Sequence, residues 1–277
     1  MNKISLLYSL ALIVAYTNVI AGVEINPKGY KRIECVIKPI SRAGEKPRPH
    51  PHLPYKEATS NNWSGYVSAT NLTSPAPNSV TAVGGTWIVP TISASGPSSS
   101  TYSSIWVGID GFSSATVEQI GTEHDWSNGV QTNIAWFEMY PDYPYEISNF
   151  PVHVGDSITG SVVYIGNGVF VLALFNNTQK VYSVVPTSYT TTQNAQRSSA
   201  EWIVEAPYEN GVLPLSEFSP VNFSNCCAII NNLLGSISNQ PWQQESLTMV
   251  ASVVTPMSIP SALSNNGENF TVTWNHQ

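Results

Sequence analysis

From Asn61 onward no stretch of this 277-residue chain keeps apolar residues at a helical period long enough for an amphipathic helix. Short runs of β-branched and aromatic residues recur instead, as in Ser79–Val83, Thr86–Val89, Ser103–Ile109, Thr132–Tyr140, Ser157–Ile165, Val169–Phe175, Ala200–Glu205, Leu247–Val254 and Phe270–Trp274. Turn pairs separate them: Ser74-Pro75, Asp110-Gly111, Asn128-Gly129, Gly155-Asp156 and Asn167-Gly168. Ile229–Leu234 reads as either one helical turn or a strand. Many short strands with no alternating helices predict an all-β antiparallel sandwich or barrel.

Charge divides the chain sharply. Residues 22–57 hold eight lysines and arginines against four glutamates, a net of +4, and six prolines. From Ala58 on, Lys180 and Arg197 face fourteen acids, a net of −12. So few cations exclude nucleic acid and anionic lipid as partners, because both are bound through cationic contacts to phosphate. The same composition suits acid, where protonated carboxylates repel less and few ion pairs exist to be lost.

Ahead of the basic segment, Lys3 precedes a mostly apolar run from Ile4 to Val19, and Val19-Ile20-Ala21 supplies a small-residue cut site. The expected organisation is a signal peptide at 1–21, a basic proline-rich propeptide at 22–57 and one domain at 58–277, giving a secreted protein with no membrane contact after signal cleavage. The +4 leader is expected to dock electrostatically on the −12 domain and to loosen as carboxylates lose charge. Cys35, Cys226 and Cys227 make an odd number, and a bridge from Cys35 to either of the others stays open. No CxxC or HExxH is present, so no metal and no cofactor are expected.

Two segments alternate in the manner of half-exposed strands. In 134–140, Trp136, Glu138 and Tyr140 share a face with Ile134; in 200–205, Glu201 and Glu205 point away from Ala200, Trp202 and Val204. Taken with Ile105-Trp106-Val107-Gly108-Ile109-Asp110-Gly111, Val117-Glu118-Gln119-Ile120-Gly121 and Asn62-Trp63-Ser64-Gly65-Tyr66, these segments resemble the glutamic peptidase (eqolisin) family, in order, over about Asn61 to Phe223. The resemblance implies a double-sheet β-sandwich of jelly-roll, concanavalin A-like type, acting as a monomer on polypeptide substrates, with the propeptide as its inhibitor. It puts the catalytic pair on Gln119 and Glu201. Trp63, Trp106, Asp110, Trp136, Glu138 and Tyr140 fall on positions that line the substrate cleft and support the pair. Ile134 stands where some members carry an acid, and the loop from Asp110 to Gln119 is one residue shorter; both bear on substrate preference rather than on the reaction.

The chemistry suits the pair. Glu201, expected to be ionised in an acid working range, takes a proton from water and returns it to the leaving nitrogen. Gln119 donates to the oxyanion without titrating. Two rival readings use the same aromatic-lined sheet: a retaining glycosidase with Glu138 and Glu201 as its carboxylates, and a carbohydrate-binding module. Glu118 should face away from the site, and His124 and His153 read as surface or turn histidines. Asn62, Asn71, Asn176, Asn222 and Asn269 begin N-x-S/T sequons.

Overall fold

The computed structural model describes residues 27–40, 59–94, 100–188, 194–251, 255–264 and 266–276. The expected signal peptide (1–21) and the boundary between propeptide and domain (57/58) lie outside the described residues. Within the leader are β1 (Lys31–Arg32) and β2 (Ile37–Pro39). The domain opens with β3 (Thr59–Ser60), β4 (Trp63–Ala69), β5 (Val80–Ile88), β6 (Ile92–Ser93) and β7 (Ser100–Ile109). It continues with β8 (Val117–Ser127), β9 (Val130–Tyr140), β10 (Tyr145–Ile147), β11 (Ser157–Gly166), β12 (Val169–Asn176) and β13 (Val181–Thr187). The last group is β14 (Ser199–Glu205), β15 (Glu217–Phe218), β16 (Val221–Ile230), β17 (Leu233–Ser236), β18 (Gln243–Val250), β19 (Pro256–Pro260) and β20 (Phe270–Trp274). The described residues contain no helix.

Asparagine turns set the registers. Asn128-Gly129 (φ 51° and 82°) closes β8 on β9, and Asn167-Gly168 (55° and 74°) closes β11 on β12. Both central residues are left-handed, which matches the twist of the flanking strands. Asn231-Asn232 (52° and 62°) does the same between β16 and β17, so the ambiguous Ile229–Leu234 stretch is a hairpin.

All but two of the strands form two large sheets, and β6 pairs with β15 in a small third one. The front sheet runs β2-β10-β9-β8-β7-β14-β4-β18. The back sheet runs β1-β13-β12-β11-β5-β16, then continues through β17 and, by way of β20 and β19, to β18. Strand β18 belongs to both: Gln243–Leu247 pair with β4 in the front sheet, and Thr248–Val250 pair with β3 and β19 in the back. Pairing is antiparallel except for two short parallel contacts, β1 with β13 and β3 with β18.

Alternation decides what is buried between the sheets. Ile105, Val107, Ile109, Ile120, Phe137, Met139, Ala200, Trp202 and Val204 of the front sheet pack with Val83, Trp87, Ile158, Val162, Leu172 and Leu174 of the back. The indoles keep their polar ends satisfied: Trp202 Nε1 donates to the Gly84 carbonyl (2.9 Å) and Trp87 Nε1 to Thr122 Oγ1 (2.9 Å).

One expectation fails here. His124 is fully buried rather than at the surface, because it falls on the inward face of β8. Its ring nitrogens meet Asn133 Oδ1 (2.8 Å) and Thr122 Oγ1 (3.0 Å), and burial lowers its pKa to about 4. The unfolded chain protonates this histidine below its ordinary 6.5 while the fold resists until about 4, so stability is lost as pH falls across that window. The loss amounts to on the order of 3 kcal/mol. His124→Gln is therefore expected to melt below the wild type at pH 7 and to close or reverse that deficit at pH 4. A deficit equal at both pH values would contradict the assignment.

Candidate active site

Cross-strand register brings the sequence candidates together on the outer face of the front sheet. Glu138 on β9 lies opposite Gln119 on β8, Gln119 opposite Gly108 on β7, and Gly108 opposite Glu201 on β14. Directly opposed residues share a face, so these four form one row across four strands. Gly108 projects no side chain, which leaves Gln119 and Glu201 as facing neighbours two strand spacings apart, roughly 9.5 Å between Cα atoms. A Cβ at Gly108 would meet Trp106 Cζ3 at 2.9 Å and Gln119 Cβ at 3.2 Å.

The adjacent row is aromatic. Trp136, Gly121 and Trp106 stand opposite one another in turn, followed by Ile203. Trp63 meets Trp106 edge-on, with ring centroids 5.0 Å apart. Together with Val67, Val117, Ile203 and Leu247 these tryptophans form an apolar cluster on the outer face, against which Phe112 and the half-buried Tyr140 pack.

Hydrogen bonding separates the members of the row. Gln119 Nε2 donates to Glu138 Oε2 (2.6 Å), which fixes the amide. Gln119 Oε1 and both carboxyl oxygens of Glu201 are buried, and no protein hydrogen bond of good geometry reaches them. Native folds rarely leave buried acceptors in this state. Glu201 is fully buried, and this desolvation pushes its pKa well above the usual carboxylate range. The Ser199 hydroxyl and the Phe112 N–H pull it down, while the charges of Asp110 and Glu118 add to the rise. Burial therefore favours the protonated form of Glu201 and works against the ionised form expected from the sequence.

The supporting residues have distinct tasks. Glu205 accepts Trp106 Nε1 (2.8 Å) and Asn62 Nδ2 (3.0 Å), so it anchors an aromatic wall. Asp110, at φ 71°, accepts the N–H groups of Arg197 (2.6 Å) and Ser198 (2.8 Å) and the Ser198 hydroxyl (2.9 Å). It ties the end of β7 to the approach of β14 and so positions Glu201; its oxygens are engaged there rather than turned to the cleft. Glu118 sits on the opposite face, as alternation requires, yet it is fully buried and its charge acts on Glu201. Alternation alone gave no sign of that coupling.

Two intervening strands separate Glu138 from Glu201, and Glu138 is occupied by Gln119. A retaining glycosidase needs its carboxyl groups about 5–5.5 Å apart. Among the described residues, no group of three or more His, Cys, Asp or Glu side chains is arranged to hold a metal ion, and no helix is long and apolar enough to cross a membrane. Cys35, Cys226 and Cys227 are free thiols, so no disulfide tethers the leader. His153 is exposed, 3.3 Å from Asp156, as expected. Asn62 and Asn176 are fully buried, with their amides donating to Glu205 and to Asp156 (2.6 Å), which closes both sequons in the folded protein.

The double-sheet β-sandwich thus carries a clamped glutamine and a buried glutamic acid aligned across one sheet, and the comparisons place this fold among the glutamic-type peptidases. Residues 61–268 match the Peptidase A4 family model, and the chain belongs to that family. Aspergillopepsin-2 of Aspergillus niger is 30% identical over 189 residues, covering 61% of this chain and 64% of its own length. Scytalidopepsin B of Scytalidium lignicola is 34% identical over 195 residues, covering 66% and 70% respectively. The crystal structure of scytalido-glutamic peptidase with a transition state analog inhibitor superposes with a TM-score of 0.65 at 24% identity, over 78% of this chain and 98% of that one.

Proposed function

We propose that the protein is a secreted endopeptidase that works in acid, with Gln119 and Glu201 gripping one water against the scissile peptide bond. The observation that carries this reading is the row in which Gln119, its amide held by Glu138, faces the buried Glu201 across the bare Gly108. Because burial favours the protonated form of Glu201, the relay we assign to it is neutral throughout. As water attacks the carbonyl carbon, the water's proton passes to the carbonyl oxygen of Glu201, and the Glu201 hydroxyl proton passes to the substrate oxygen. Gln119 Oε1 orients the water, and the Nε2 hydrogen not given to Glu138 supports the substrate oxygen. In the second half a proton moves from Glu201 to the nitrogen while one hydroxyl of the gem-diol returns its own; the C–N bond breaks, and Glu201 ends as it began. No charge is created beside a carboxyl that burial already disfavours in its ionised form.

The sign of the pH dependence follows. The active form is protonated Glu201, and its raised pKa extends that form above the ordinary carboxylate range, so activity holds in acid and declines as pH rises through the raised value. Casein should be digested at pH 3, with the rate falling on the alkaline side. Glu118→Gln removes one charge that raises this pKa, so the alkaline limb of kcat/KM should move to lower pH. An unmoved limb would assign it to another group.

The described part of the leader reaches the edge of the cleft face. Strand β2 extends the front sheet at β10, and Ile40 packs against the aromatic cluster of the cleft face. Lys38 pairs with Glu146 at 3.0 Å, in register with Trp136.

A further inference from the structure

The leader grips the domain at several levels. Its β1 adds to the exposed edge of β13, with Lys31 N and Ile33 N each 2.8 Å from carbonyls of Lys180 and Tyr182. Tyr30 lies on the outer face of the back sheet, edge-on to Phe175 at 6.0 Å; its hydroxyl donates to Asn177 Oδ1 (3.0 Å), and Lys180 Nζ sits 5.1 Å from its ring centroid. Cys35, half-buried, packs against the core between the sheets. Beyond it, Asn149 accepts from Val36 N (3.3 Å) and donates to the Glu34 carbonyl, Ser148 N donates to the Val36 carbonyl (2.9 Å), and β2 completes the edge of β10.

We propose that residues 27–40 are a permanent clasp across the edges of both sheets, one that stays bound after the chain between Ile40 and Thr59 has been cut. Open strand edges invite pairing with other chains, and this segment closes two of them with main-chain hydrogen bonds and apolar contacts. Charge contributes little. Among the described residues, Lys38–Glu146 is the one ion pair between leader and domain, and the Lys38 side chain is 60% exposed. Lys180 of the domain also lies against the clasp, over the Tyr30 ring, and it is not a carboxylate. The expected release of the leader by carboxylate protonation therefore bears on one contact here, and acid leaves the clasp seated. The reading is independent of the proposed catalysis, and its test avoids that activity.

The full chain carrying Glu201→Gln is cut with trypsin at neutral pH. Arg42-Ala43 and Lys56-Glu57 suit the protease, whereas Lys46 and Arg48 precede proline. The products are then run by gel filtration at pH 7 and pH 4, and each peak is weighed under denaturing conditions. The expected result is a peptide ending at Arg42 that co-elutes one-to-one with the domain at both pH values. Tyr30→Ala should weaken its retention about tenfold, through loss of an aromatic contact and a hydrogen bond. A domain peak free of the peptide at either pH overturns the proposal. So does cleavage after Lys31 or Arg32 as fast as after Arg42, because a paired strand is a poor protease substrate.

Discussion

Glu201→Gln is expected to fold, to melt within a few degrees of the parent, and to lose peptide-bond hydrolysis at every pH. Glutamine keeps the shape of the side chain but has no acid proton to pass on, so both halves of the relay stop. Removing a general acid–base group costs on the order of 10²–10⁴ in rate. Gln119→Ala removes a donor to the substrate oxygen and an acceptor for the water, at about 10²–10³, or 3–4 kcal/mol of transition-state stabilisation. The two act on one water, so the double variant should be scarcely slower than the worse single one. Progress curves on one fluorogenic peptide, read beside thermal melts, check all three. Full activity in either single variant would dismantle the site.

A second large effect belongs to Gly121→Ala. The glycine lies between Trp106 and Trp136, and a Cβ there would collide with the Ile105 carbonyl oxygen and stand 2.6 Å from Trp106 Cβ. The first of these is backbone in a central strand and has nowhere to go. A loss of about 3 kcal/mol is expected, which for a domain of this size lowers the melting temperature by roughly 6–12 °C. Gly129→Ala serves as the control, since the turn meets nothing within 4 Å and pays only for its φ of 82°. Equal melting temperatures for the two variants would mean that the tryptophan row tolerates spreading.

What could be read in the sequence was local. Asn128-Gly129 and Asn167-Gly168 announce hairpins because few other pairs accept two left-handed residues in succession. Alternation placed Trp136, Glu138 and Tyr140 on one face and Glu201 with Glu205 on another, and both faces proved to be the same side of one sheet. The alignment of Gln119 with Glu201 could not be read that way. It depends on β7 lying between β8 and β14, strands far apart in sequence, and only the resemblance to glutamic peptidases pointed to it. Burial of polar groups was the least legible feature. His124 and Glu118 occupy inward positions of β8, where hydropathy argues against placing them; for His124, hydrogen bonds to Thr122 on its own strand and Asn133 on β9 decide the matter. Asn62 and Asn176 look like modification motifs until Glu205 and Asp156 claim their amides.

The distance between Gln119 and Glu201 is measured across the grain of the sheet, and no loop sets it. Main-chain ladders on either side of β7 act as the ruler, and that is the stiffest dimension a pleated layer possesses. Thermal inactivation should consequently track collapse of the whole sandwich, with no earlier phase in which an intact fold has lost its catalytic alignment.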